Sequence, residues 1–585
     1  MDRRRFVQSA ALIPLAATGG HAESFWPDAS PSAKNAVDAQ PQLPWAGSRY
    51  ELTLARVLKG ESPAYTEEFL LADVRPEPVR RFTEYSGDLS GRYIGALATA
   101  AHVYGSDFPA LDALVGKVIA LQKPDGYFGA PFHAGNLGDT DLALLWGNGR
   151  LLVGLLEYYR LKPTPEVLAS CRRLGDWLIA IGPLMLSKET REAFGAQHFA
   201  SSYICWMQQT EGLALLYAAT RDERYRDLAV QIAAVIERRP SDHVHGYLTS
   251  LRGVMELYSA TGDVRFLKQG EAAWDDISAS KDALITGGVP EGWSPNNHRT
   301  EGCAEADWVR LNLQLWKATE NAKYLETAER AVFNELAFNQ FATGDFGHRV
   351  YTDTGFGSGS ARAWWCCTLH GLRAFPDIET SAFRDADKAL RYEMPVNGRI
   401  ETADLSAVAK SSLGNDGTVR IRMTAAKIAR VALRVRIPAW AEAVGVELNG
   451  ATGEAVATGG YATIERVWKA GDALTLRYAM KLRTKPEEGG RVSYWYGPWL
   501  LGASAADNPA YFNELTAENR LQAGKERGLV AEQRPSRPFC APIAAITVPY
   551  APAEYPDQPG SVTLRPIAEQ SGQDTTAWEM RFLRA

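Results

Sequence analysis

The chain has 585 residues, with 63 Lys and Arg against 69 Asp and Glu and a formal net charge of −6. This length exceeds the roughly 250–300 residues that one hydrophobic core serves, so we expect two or three domains. Because charges of both signs are interspersed along the sequence, nucleic acid and anionic membrane surfaces are excluded as main partners.

The amino terminus has the features of an export signal. Arg3 and Arg4 precede a short apolar run over residues 9–18, and small residues follow up to Ala22. Paired arginines are typical of a twin-arginine signal, and the run is too short to anchor the chain in a bilayer. We therefore expect a signal peptide over 1–22, a leader over 23–48, and a periplasmic or secreted protein that has no membrane contact once the signal is removed.

Residues 49–385 carry apolar residues at helical spacing. Five times, a predicted helix ends near an aromatic residue and a short polar turn leads into another helix; these aromatics are Tyr104, Tyr159, Tyr217, Tyr258 and Trp316. Such helical hairpins must bury their apolar faces against one another, as an open solenoid or as a closed ring. The long Gly- and Pro-rich segment 287–297 favours a ring with a substrate-binding face, so we predict an (α/α)6-type toroid as the catalytic domain.

From about residue 386, apolar and polar residues alternate, as in 419–424 and 431–437. Asn449-Gly450 and Gly459-Gly460 supply turn residues between such runs. We predict an antiparallel β-sandwich over 386–503. Residues 504–545 show no regular pattern, and we expect 504–585 to form an irregular segment and strands that return to the sandwich.

Six cysteines are too few for a disulfide framework in a chain of this length. Cys171 and Cys205 lie in apolar helical patterns and are predicted to be core residues, while Cys540 lies in a Pro-rich stretch and has no assigned role. The remaining three cysteines are candidates for chemistry: Cys303, Cys366 and Cys367.

Glu301 and Cys303 are two residues apart, so in an extended segment their side chains point to the same side. Cys366 and Cys367 are adjacent and converge on one ion only if the backbone turns between them. Three thiolates and a carboxylate would complete a tetrahedral site, and thiolates favour zinc over magnesium or calcium. The same spacing also allows a disulfide from Cys366 to Cys367 or to Cys303, or no site at all.

Several segments occur together in one order along residues 50–500. They are Gln122-Lys-Pro-Asp-Gly-Tyr-Phe-Gly, Glu301-Gly-Cys-Ala, the tandem Cys366-Cys367 after aromatic residues, Ile437-Pro-Ala-Trp and Tyr496-Gly-Pro. In this combination the sequence resembles the beta-L-arabinofuranosidase superfamily, glycoside hydrolase family 127 and its relatives. The resemblance implies an (α/α) toroid joined to β-sandwich domains, a zinc ion held by three cysteines and a glutamate, and retaining hydrolysis through a cysteine nucleophile.

Carried over by motif, the resemblance makes Cys366 the nucleophile and makes Glu301, Cys303 and Cys367 its companion zinc ligands. A retaining glycosidase also needs a carboxylic acid that protonates the departing oxygen and then activates water. Glu291 is the candidate, since it lies in the loop ahead of the zinc glutamate, although only ten residues separate it from Glu301. Glu305 is the nearest rival.

The sequence departs from the family at the positions that contact the sugar. Where histidines on the inner helices of the arabinofuranosidases grip the substrate, this chain carries Arg150, Gln208 or Gln209, and Thr249. We therefore expect a different sugar, and we name as candidate pocket residues, each also compatible with a core or surface role, Tyr203, Trp206, Trp293, His298 and Trp365. His370 either orients a ligand or caps a turn.

The sequence thus predicts an exported, zinc-dependent retaining glycoside hydrolase that acts on side chains of plant or microbial polysaccharides or on oligosaccharides. Two alternatives stay open. One is a polysaccharide lyase or unsaturated-glucuronide hydrolase, because the same architecture hosts those reactions without cysteines. The other is a non-catalytic carbohydrate-binding protein in which zinc is structural. The oligomeric state is left open.

Overall fold

The computed structural model describes residues 45–585, apart from 60–61, 78–84, 196–201, 358–361, 387, 428–429, 454, 514–518, 532–543, 553–556 and 570–575. The predicted signal peptide, residues 23–44 of the predicted leader and Cys540 lie outside the described residues. The first helix begins at Trp45, so it includes the last four residues of the predicted leader.

The first part of the chain is helical. Its α-helices, which are joined by short turns, are α1 (Trp45–Leu58), α2 (Glu67–Ala72), α3 (Asp88–Tyr104), α4 (Pro109–Ile119), α5 (Asp139–Leu161), α6 (Pro165–Met185), α7 (Lys188–Phe194), α8 (Ile204–Met207), α9 (Gln209–Thr220), α10 (Glu223–Ala233), α11 (Val244–Thr261), α12 (Val264–Ser278), α13 (Gly302–Thr319), α14 (Ala322–Ala331), α15 (Ala337–Asn339) and α16 (Trp365–Thr380). A π-helical turn, Val332–Leu336, joins α14 to α15.

The five predicted hairpin aromatics each lie in the last turn of a helix, namely α3, α5, α9, α11 and α13. The helix that follows is started by a side-chain cap in three of the hairpins, where Asp222, Asp263 and Asn321 accept a hydrogen bond from a backbone N–H two residues on. Such caps satisfy N–H groups that have no partner within the helix. The polar turns read from the sequence are therefore the start signals of α10, α12 and α14.

Six helices pack in a cycle of contacts. Helix α3 contacts α5, α5 contacts α9, α9 contacts α11, α11 contacts α13, α13 contacts α16, and α16 contacts α3. These helices are buried around most of their circumference, whereas α10, α12 and α14 bury one face only. A helix buried on all sides belongs to the interior, and a one-sided helix covers it. The polar residues of the six helices are therefore held together inside the domain.

A close approach of α3 and α5 depends on glycine. A Cβ atom on Gly154 would lie 2.1 Å from the carbonyl oxygen of Gly91, and one on Gly91 would lie 2.5 Å from the backbone of Leu151. Real Cβ atoms are not found at such distances. These two glycines let the backbones of the two helices touch, which sets the position of Arg92 on α3.

The rest of the chain is rich in strands, which confirms the predicted order of a helical domain followed by antiparallel sheets. A five-stranded sheet has the order β13-β14-β10-β6-β5, and a six-stranded sheet the order β12-β11-β15-β9-β8-β7. All of their pairings are antiparallel except that of β6 with β10. The strands are β5 (Phe383–Ala386), β6 (Ala389–Tyr392), β7 (Gly398–Glu401), β8 (Leu405–Ser412), β9 (Thr418–Ala426), β10 (Arg430–Arg436), β11 (Ala441–Leu448), β12 (Ala451–Thr452), β13 (Val456–Thr458), β14 (Tyr461–Val467) and β15 (Ala473–Met480), with the short helix α17 (Leu413–Asp416) before β9.

The last strands form a separate ten-stranded sheet, so our prediction that residues 504–585 return to the sandwich needs correction. This sheet contains β3 (Gly355–Phe356), β16 (Leu482–Glu487), β17 (Arg491–Tyr496), β18 (Trp499–Ser504), β19 (Arg520–Leu521), β20 (Arg527–Ala531), β21 (Ala544–Ala551), β22 (Gly560–Pro566), β23 (Trp578–Glu579) and β24 (Phe582–Arg584). Helix α18 (Pro509–Asn513) also lies in the stretch predicted to be irregular. The sheet has its own apolar core, which includes Tyr494, Leu501, Ile546, Val548 and Leu564.

A three-stranded sheet, in the order β1-β2-β4, lies within the helical part of the chain. Its strands are β1 (Arg299–Glu301), β2 (Gly347–Val350) and β4 (Arg362–Ala363). In the register of β1 and β2, Glu301 faces His348. Among the described residues, no helix combines the length and the apolarity that crossing a bilayer requires.

Candidate active site

Three cysteines meet at the amino-terminal ends of two helices. Cys303 is the second residue of α13, and Cys366 and Cys367 are the second and third residues of α16. Their sulfur atoms all lie within 4.8 Å of one another, and those of Cys366 and Cys367 are 3.9 Å apart. All three are free, so the structure contains neither of the disulfides that the spacing allowed.

Glycine makes this convergence sterically feasible. A Cβ atom on Gly302, the first residue of α13, would lie 3.0 Å from the Cβ atom of Cys367 and 2.8 Å from that of Phe346. The absence of a side chain lets α13 begin directly against α16. The first turns of both helices then direct unpaired N–H groups and the positive end of the helix dipole toward the sulfurs, which favours thiolates there.

The three thiols differ in acidity and in access. Hydrogen bonds from Cys303 and Cys367, supported by the positive charge of Arg92, hold the pKa of the Cys366 thiol well below its usual value. Burial raises the pKa of Cys303 and that of Cys367. Cys303 and Cys367 are fully buried, whereas Cys366 is half-buried. Cys366 is therefore the one of the three cysteines that is both stabilised as an anion and only half-buried.

Glu301 lies at the junction of β1 and α13, which differs from the extended segment that we expected for Glu301 and Cys303. The strand ends at Glu301 and the helix begins at Gly302. Glu301 groups with His243 and Glu291 rather than with the sulfurs, and its Oε2 lies 3.0 Å from Nε2 of His243 and 3.5 Å from Nε2 of His348. Although burial acts in the opposite direction, these two histidines hold the pKa of Glu301 well below its usual range.

Glu291 lies beside Glu301 and is paired with an arginine. Its backbone N–H donates to the carbonyl of Arg299 (2.8 Å), while its carbonyl accepts from Val244 at the start of α11 (2.9 Å). Nη2 of Arg299 donates to Oε1 of Glu291 (2.8 Å), and Nε of Arg299 donates to Oε2. His348 and His243 approach the same Oε1 at 3.5 and 3.9 Å. The predicted acid/base residue therefore lies within the same group of side chains as the predicted zinc glutamate.

Arg92 on α3 adds a buried cation to the cysteine cluster. Its Nη1 donates to Nδ1 of His370 (2.7 Å) and lies 3.5 Å from the sulfur of Cys303, and its Nη2 donates to Nε2 of His245 (3.0 Å). Its Nε donates to Asp88 (2.7 Å). Because both histidine nitrogens accept from Arg92, their protons are assigned to the opposite ring nitrogens.

Asp307 on α13 lies next to the ring nitrogens of His245 and His370 that face away from Arg92. Nδ1 of His245 donates to Oδ2 of Asp307 (2.6 Å), and Nε2 of His370 lies 3.4 Å from the same oxygen. Burial, followed by the charge of Arg92, lowers the pKa of His245 to about 4, so this imidazole is neutral near pH 7. Asp307 thereby fixes the two rings that hold Arg92 against the thiols. His370 lies inside α16 and accepts from Arg92, so it does not cap a turn; that it orients a ligand stays a prediction.

The donor set fits the zinc ion that the family resemblance implies. Three thiols and a carboxylate are a zinc-type donor set, and the sulfurs already converge. Oε1 of Glu301 is buried and lacks a hydrogen-bond partner among the described groups. A buried polar atom with no partner is costly unless something binds it. Glu301, Cys303, Cys366 and Cys367 are therefore a chemically suitable set for a metal ion. A second group of potential ligands, His245, Cys303 and His370, shares Cys303 with the first.

The predicted sugar-contacting residues differ in their placement. Tyr203 and Trp206 have no exposed surface, and the Tyr203 hydroxyl donates to the carbonyl of Met185, so both belong to the helical core. Trp293 is 2% exposed and packs against Tyr247 and Arg238. His298 is exposed, and Trp365 is half-buried as the residue before Cys366. Of the five, Trp365 is the one adjacent to the cysteine cluster.

Of the positions that depart from the family, Arg150 and Thr249 lie inside α5 and α11 and contact each other, whereas Gln208 and Gln209 lie at the start of α9. Arg150 lies in the middle of α5, within 3.4 Å of Glu211 and of the Thr249 hydroxyl, and Thr249 donates to Asp307 (3.1 Å). Gln208 and Gln209 donate to backbone carbonyls of α5. Through Thr249 and Asp307, Arg150 belongs to a polar network that reaches His245.

Several site residues were not identified from the sequence: Asp88, Arg92, His243, His245, Arg299, Asp307 and His348. Four of the chain's nine histidines lie here, at positions 243, 245, 348 and 370. The His-x-His pair at 243 and 245 was the one available local signal, because histidines so spaced at a helix start are common near metal sites and catalytic groups. The others carry no local signature.

The described structure is a helical domain whose interior presents thiols, carboxylates and imidazoles, followed by antiparallel sheets. Residues 61–380 match the family described as beta-L-arabinofuranosidase, GH127 catalytic domain, and residues 393–480 match its middle domain. The chain belongs to glycoside hydrolase family 127. The predicted family resemblance is thus confirmed.

Solved structures show the same fold. A GH127 beta-arabinofuranosidase has a TM-score of 0.70 at 18% identity, with 93% of this chain and 96% of that chain covered. A GH127 beta-L-arabinofuranosidase from Geobacillus stearothermophilus has a TM-score of 0.68 at 17% identity, with 94% and 100% covered. A third, described as a glycoside hydrolase, has a TM-score of 0.66 at 16% identity, with 93% and 95% covered. No curated protein sequence matches the chain.

Proposed function

We propose that this protein is an exported, zinc-dependent retaining glycoside hydrolase in which Cys366 is the nucleophile and Glu291 the acid/base residue. The observation that carries this proposal is the asymmetry of the cysteine cluster. Cys366 alone of the three combines a lowered thiol pKa with partial exposure of the residue, while its two neighbours are buried. A structural zinc site would bury its ligands alike, whereas a nucleophile has to reach a substrate.

In the first step the Cys366 thiolate attacks the anomeric carbon. The carbon–sulfur bond forms as the glycosidic carbon–oxygen bond breaks, and Glu291 donates a proton to the departing oxygen. Arg92, fixed by Asp88 and by the His245 and His370 rings, keeps a positive charge beside the cluster throughout.

In the second step Glu291, now a carboxylate, takes a proton from water. The water oxygen attacks the anomeric carbon, and Cys366 leaves as a thiolate, so the configuration is retained. When zinc is bound by Glu301, Cys303, Cys366 and Cys367, it keeps the sulfurs deprotonated at neutral pH. His243 and His348 hold the Glu301 carboxylate in position.

Further parts of the proposal concern architecture and location. We infer that the cycle of contacts among α3, α5, α9, α11, α13 and α16 is the inner ring of an (α/α)6 toroid, and that the five- and six-stranded sheets face each other as a β-sandwich. Arg3, Arg4 and the apolar run 9–18 support export through a twin-arginine signal to the periplasm or beyond. Two of the solved relatives are named arabinofuranosidases, which supports side chains of plant or microbial polysaccharides as substrates.

The test combines metal analysis with a screen of plant and microbial oligosaccharides. We expect one zinc ion per chain in the purified protein and release of a monosaccharide from at least one oligosaccharide. Cys366→Ala should abolish release, and intact-mass analysis of quenched wild-type reactions should show a glycosyl adduct on the peptide that contains Cys366. Cys171→Ala, a change at a fully buried core cysteine of α6, is the matched control and should keep its activity.

The two alternatives give different results in the same test. Full activity of Cys366→Ala would show that the cysteine is not the nucleophile and would favour a lyase or an unsaturated-glucuronide hydrolase. Bound zinc without cleavage of any oligosaccharide would favour a carbohydrate-binding protein with a structural metal. A protein without zinc would contradict the proposal outright.

A further inference from the structure

Arg299 holds both oxygens of the proposed acid/base residue. Its Nη2 and Nε donate to Oε1 and Oε2 of Glu291, in the two-pronged geometry that a guanidinium forms with a carboxylate. While both hydrogen bonds from Arg299 are present, neither carboxylate oxygen of Glu291 is free to contact a leaving group. A working site therefore requires that the Arg299 side chain move away from Glu291 when substrate is bound.

The two partners of this ion pair differ in exposure. The Glu291 side chain is 7% exposed and its backbone is anchored on both sides, to Arg299 and to Val244, whereas the Arg299 side chain is 37% exposed. Alternation along β1 places Arg299 and Glu301 on the same face of the strand, so Arg299 lies on the side of the site. The arginine is thus the outer partner of the pair, with more room to move than the glutamate.

A neutral sugar offers little that would displace this pairing. Its hydroxyl groups form neutral hydrogen bonds, which are about half as strong as those between a guanidinium and a carboxylate. A second carboxylate is the group that matches the arginine fork in both charge and shape. Nε2 of His243 and Nε2 of His348 lie 3.9 and 3.5 Å from the same Glu291 oxygen, so two imidazoles also face this carboxylate.

We propose that the substrate carries a carboxylate, as in a uronic acid or another acidic sugar, and that Arg299 binds this carboxylate and thereby releases Glu291. The inference rests on the proposed function, since it assigns a substrate class to the same site. Arg299 acts as a substrate-binding residue that couples recognition to the freeing of the acid/base side chain. No covalent bond is made or broken in this exchange, because the substrate carboxylate only replaces that of Glu291 as the hydrogen-bond partner of the guanidinium.

The test compares acidic oligosaccharides with their neutral counterparts. Pectic oligosaccharides are offered to the zinc-loaded, full-length protein before and after chemical reduction of their carboxyl groups, which leaves the ring configuration unchanged. We expect released sugars that carry a carboxylate, and at least a tenfold lower kcat/KM on the reduced material, which corresponds to about 1.4 kcal/mol, because the charge-assisted hydrogen bonds to Arg299 are lost.

Variants of Arg299 separate binding from folding. Arg299→Gln should lower kcat/KM on the acidic oligosaccharides about tenfold or more, mainly through KM, and should erase the preference over the reduced ones. Arg299→Lys keeps the positive charge but cannot form two parallel hydrogen bonds to a carboxylate. Its kcat/KM on the acidic oligosaccharides should therefore lie between those of the wild type and Arg299→Gln. Arg265→Gln is the control, because it removes an exposed arginine that is paired with Asp263. It should leave kcat/KM on both kinds of oligosaccharide unchanged. Unaltered thermal unfolding of Arg299→Gln shows that the variant is folded.

Three results would overturn the inference. Equal kcat/KM on acidic and reduced oligosaccharides, with Arg299→Gln unchanged or faster on both, would show that Arg299 only restrains Glu291 and would leave the proposed function intact. Cleavage of neutral oligosaccharides alone would have the same meaning. Absence of any cleavage, together with the absence of a glycosyl adduct on Cys366, would overturn the proposed function and this inference with it.

Discussion

Nη1 of Arg92 lies 3.5 Å from the sulfur of Cys303, although 211 residues separate them in the sequence. The guanidinium is buried, and Asp88, His245 and His370 take up its other hydrogen bonds. A positive charge fixed at this distance inside a protein stabilises thiolates more strongly than it would in water. The helix that carries Arg92 therefore contributes to the chemistry of a cluster on α13 and α16.

Replacing this cation should weaken metal binding. In Arg92→Met, paired with Asp88→Asn so that no unpaired carboxylate remains, we expect zinc affinity to fall about 10- to 100-fold, the usual effect of removing a group that orients or supports metal ligands. Competition with a fluorescent zinc chelator measures the change in the full-length protein. Arg226→Met, on the surface of α10, is the control. Unchanged affinity in the double variant would show that Arg92 acts only in packing.

Glu291→Gln should affect catalysis far more than Glu305→Gln. Loss of a general acid/base costs about 10²- to 10⁴-fold in rate, and added azide should restore the breakdown of the glycosyl intermediate in Glu291→Gln. Burial and the nearby Glu335 carboxyl raise the pKa of Glu305 well above its usual value, which favours the neutral form that an amide resembles. We expect less than a tenfold change for Glu305→Gln. The reverse order of effects in steady-state assays would identify Glu305 as the acid/base residue.

The contact between α3 and α5 should be intolerant of a single methyl group. Gly154→Ala places a Cβ atom 2.1 Å from the Gly91 carbonyl oxygen, so the helices must separate, at a cost of about 1–3 kcal/mol in unfolding free energy. Gly116→Ala on the exposed face of α4 meets no atom within 4 Å and should stabilise the protein by about 0.5–1 kcal/mol. Midpoints of urea unfolding compare the two, and equal shifts in the same direction would contradict the expectation.

Glu379 should make the stability of the helical domain depend on pH. Burial raises its pKa to about 8 in the folded protein, from 4.5 in a free side chain. Between pH 4.5 and pH 8 the Glu379 carboxyl binds a proton in the folded protein but not in the unfolded chain. The contribution of Glu379 to the free energy of unfolding is therefore greatest below pH 4.5 and declines as the pH rises to 8.

Glu379→Gln should remove this component. We expect the difference in unfolding free energy between pH 5 and pH 8.5 to shrink by about 1–4 kcal/mol, given roughly 1.4 kcal/mol for each unit of pKa shift. Urea unfolding at the two pH values provides the measurement. Glu488→Gln, at an exposed position between β16 and β17, is the control. If Glu379→Gln kept the full pH dependence of the wild type, another group would have to be responsible.

Local patterns in the sequence predicted the order of elements and the chemically active cysteines. The helical period, the capped turns after Tyr217, Tyr258 and Trp316, and the alternation after residue 386 are properties of consecutive residues, and the structure agrees with them. The missed strand β21 is instructive, because Ile546, Val548 and Tyr550 alternate as buried residues within a run that also contains prolines. Proline at 549 obscured a pattern that the sheet nevertheless uses.

The sequence by itself therefore determined the family, the helical and β-rich halves, and the candidate roles of Glu301, Cys303, Cys366 and Cys367, since each depends on neighbours along the chain. Tertiary structure alone decided that Cys366 is the least buried of the three cysteines, that Arg92 lies against Cys303, and that Arg299 is paired with Glu291. The physical reason is that burial, charge pairing and helix–helix approach join residues tens to hundreds of positions apart, and spacing in the sequence carries no record of those distances.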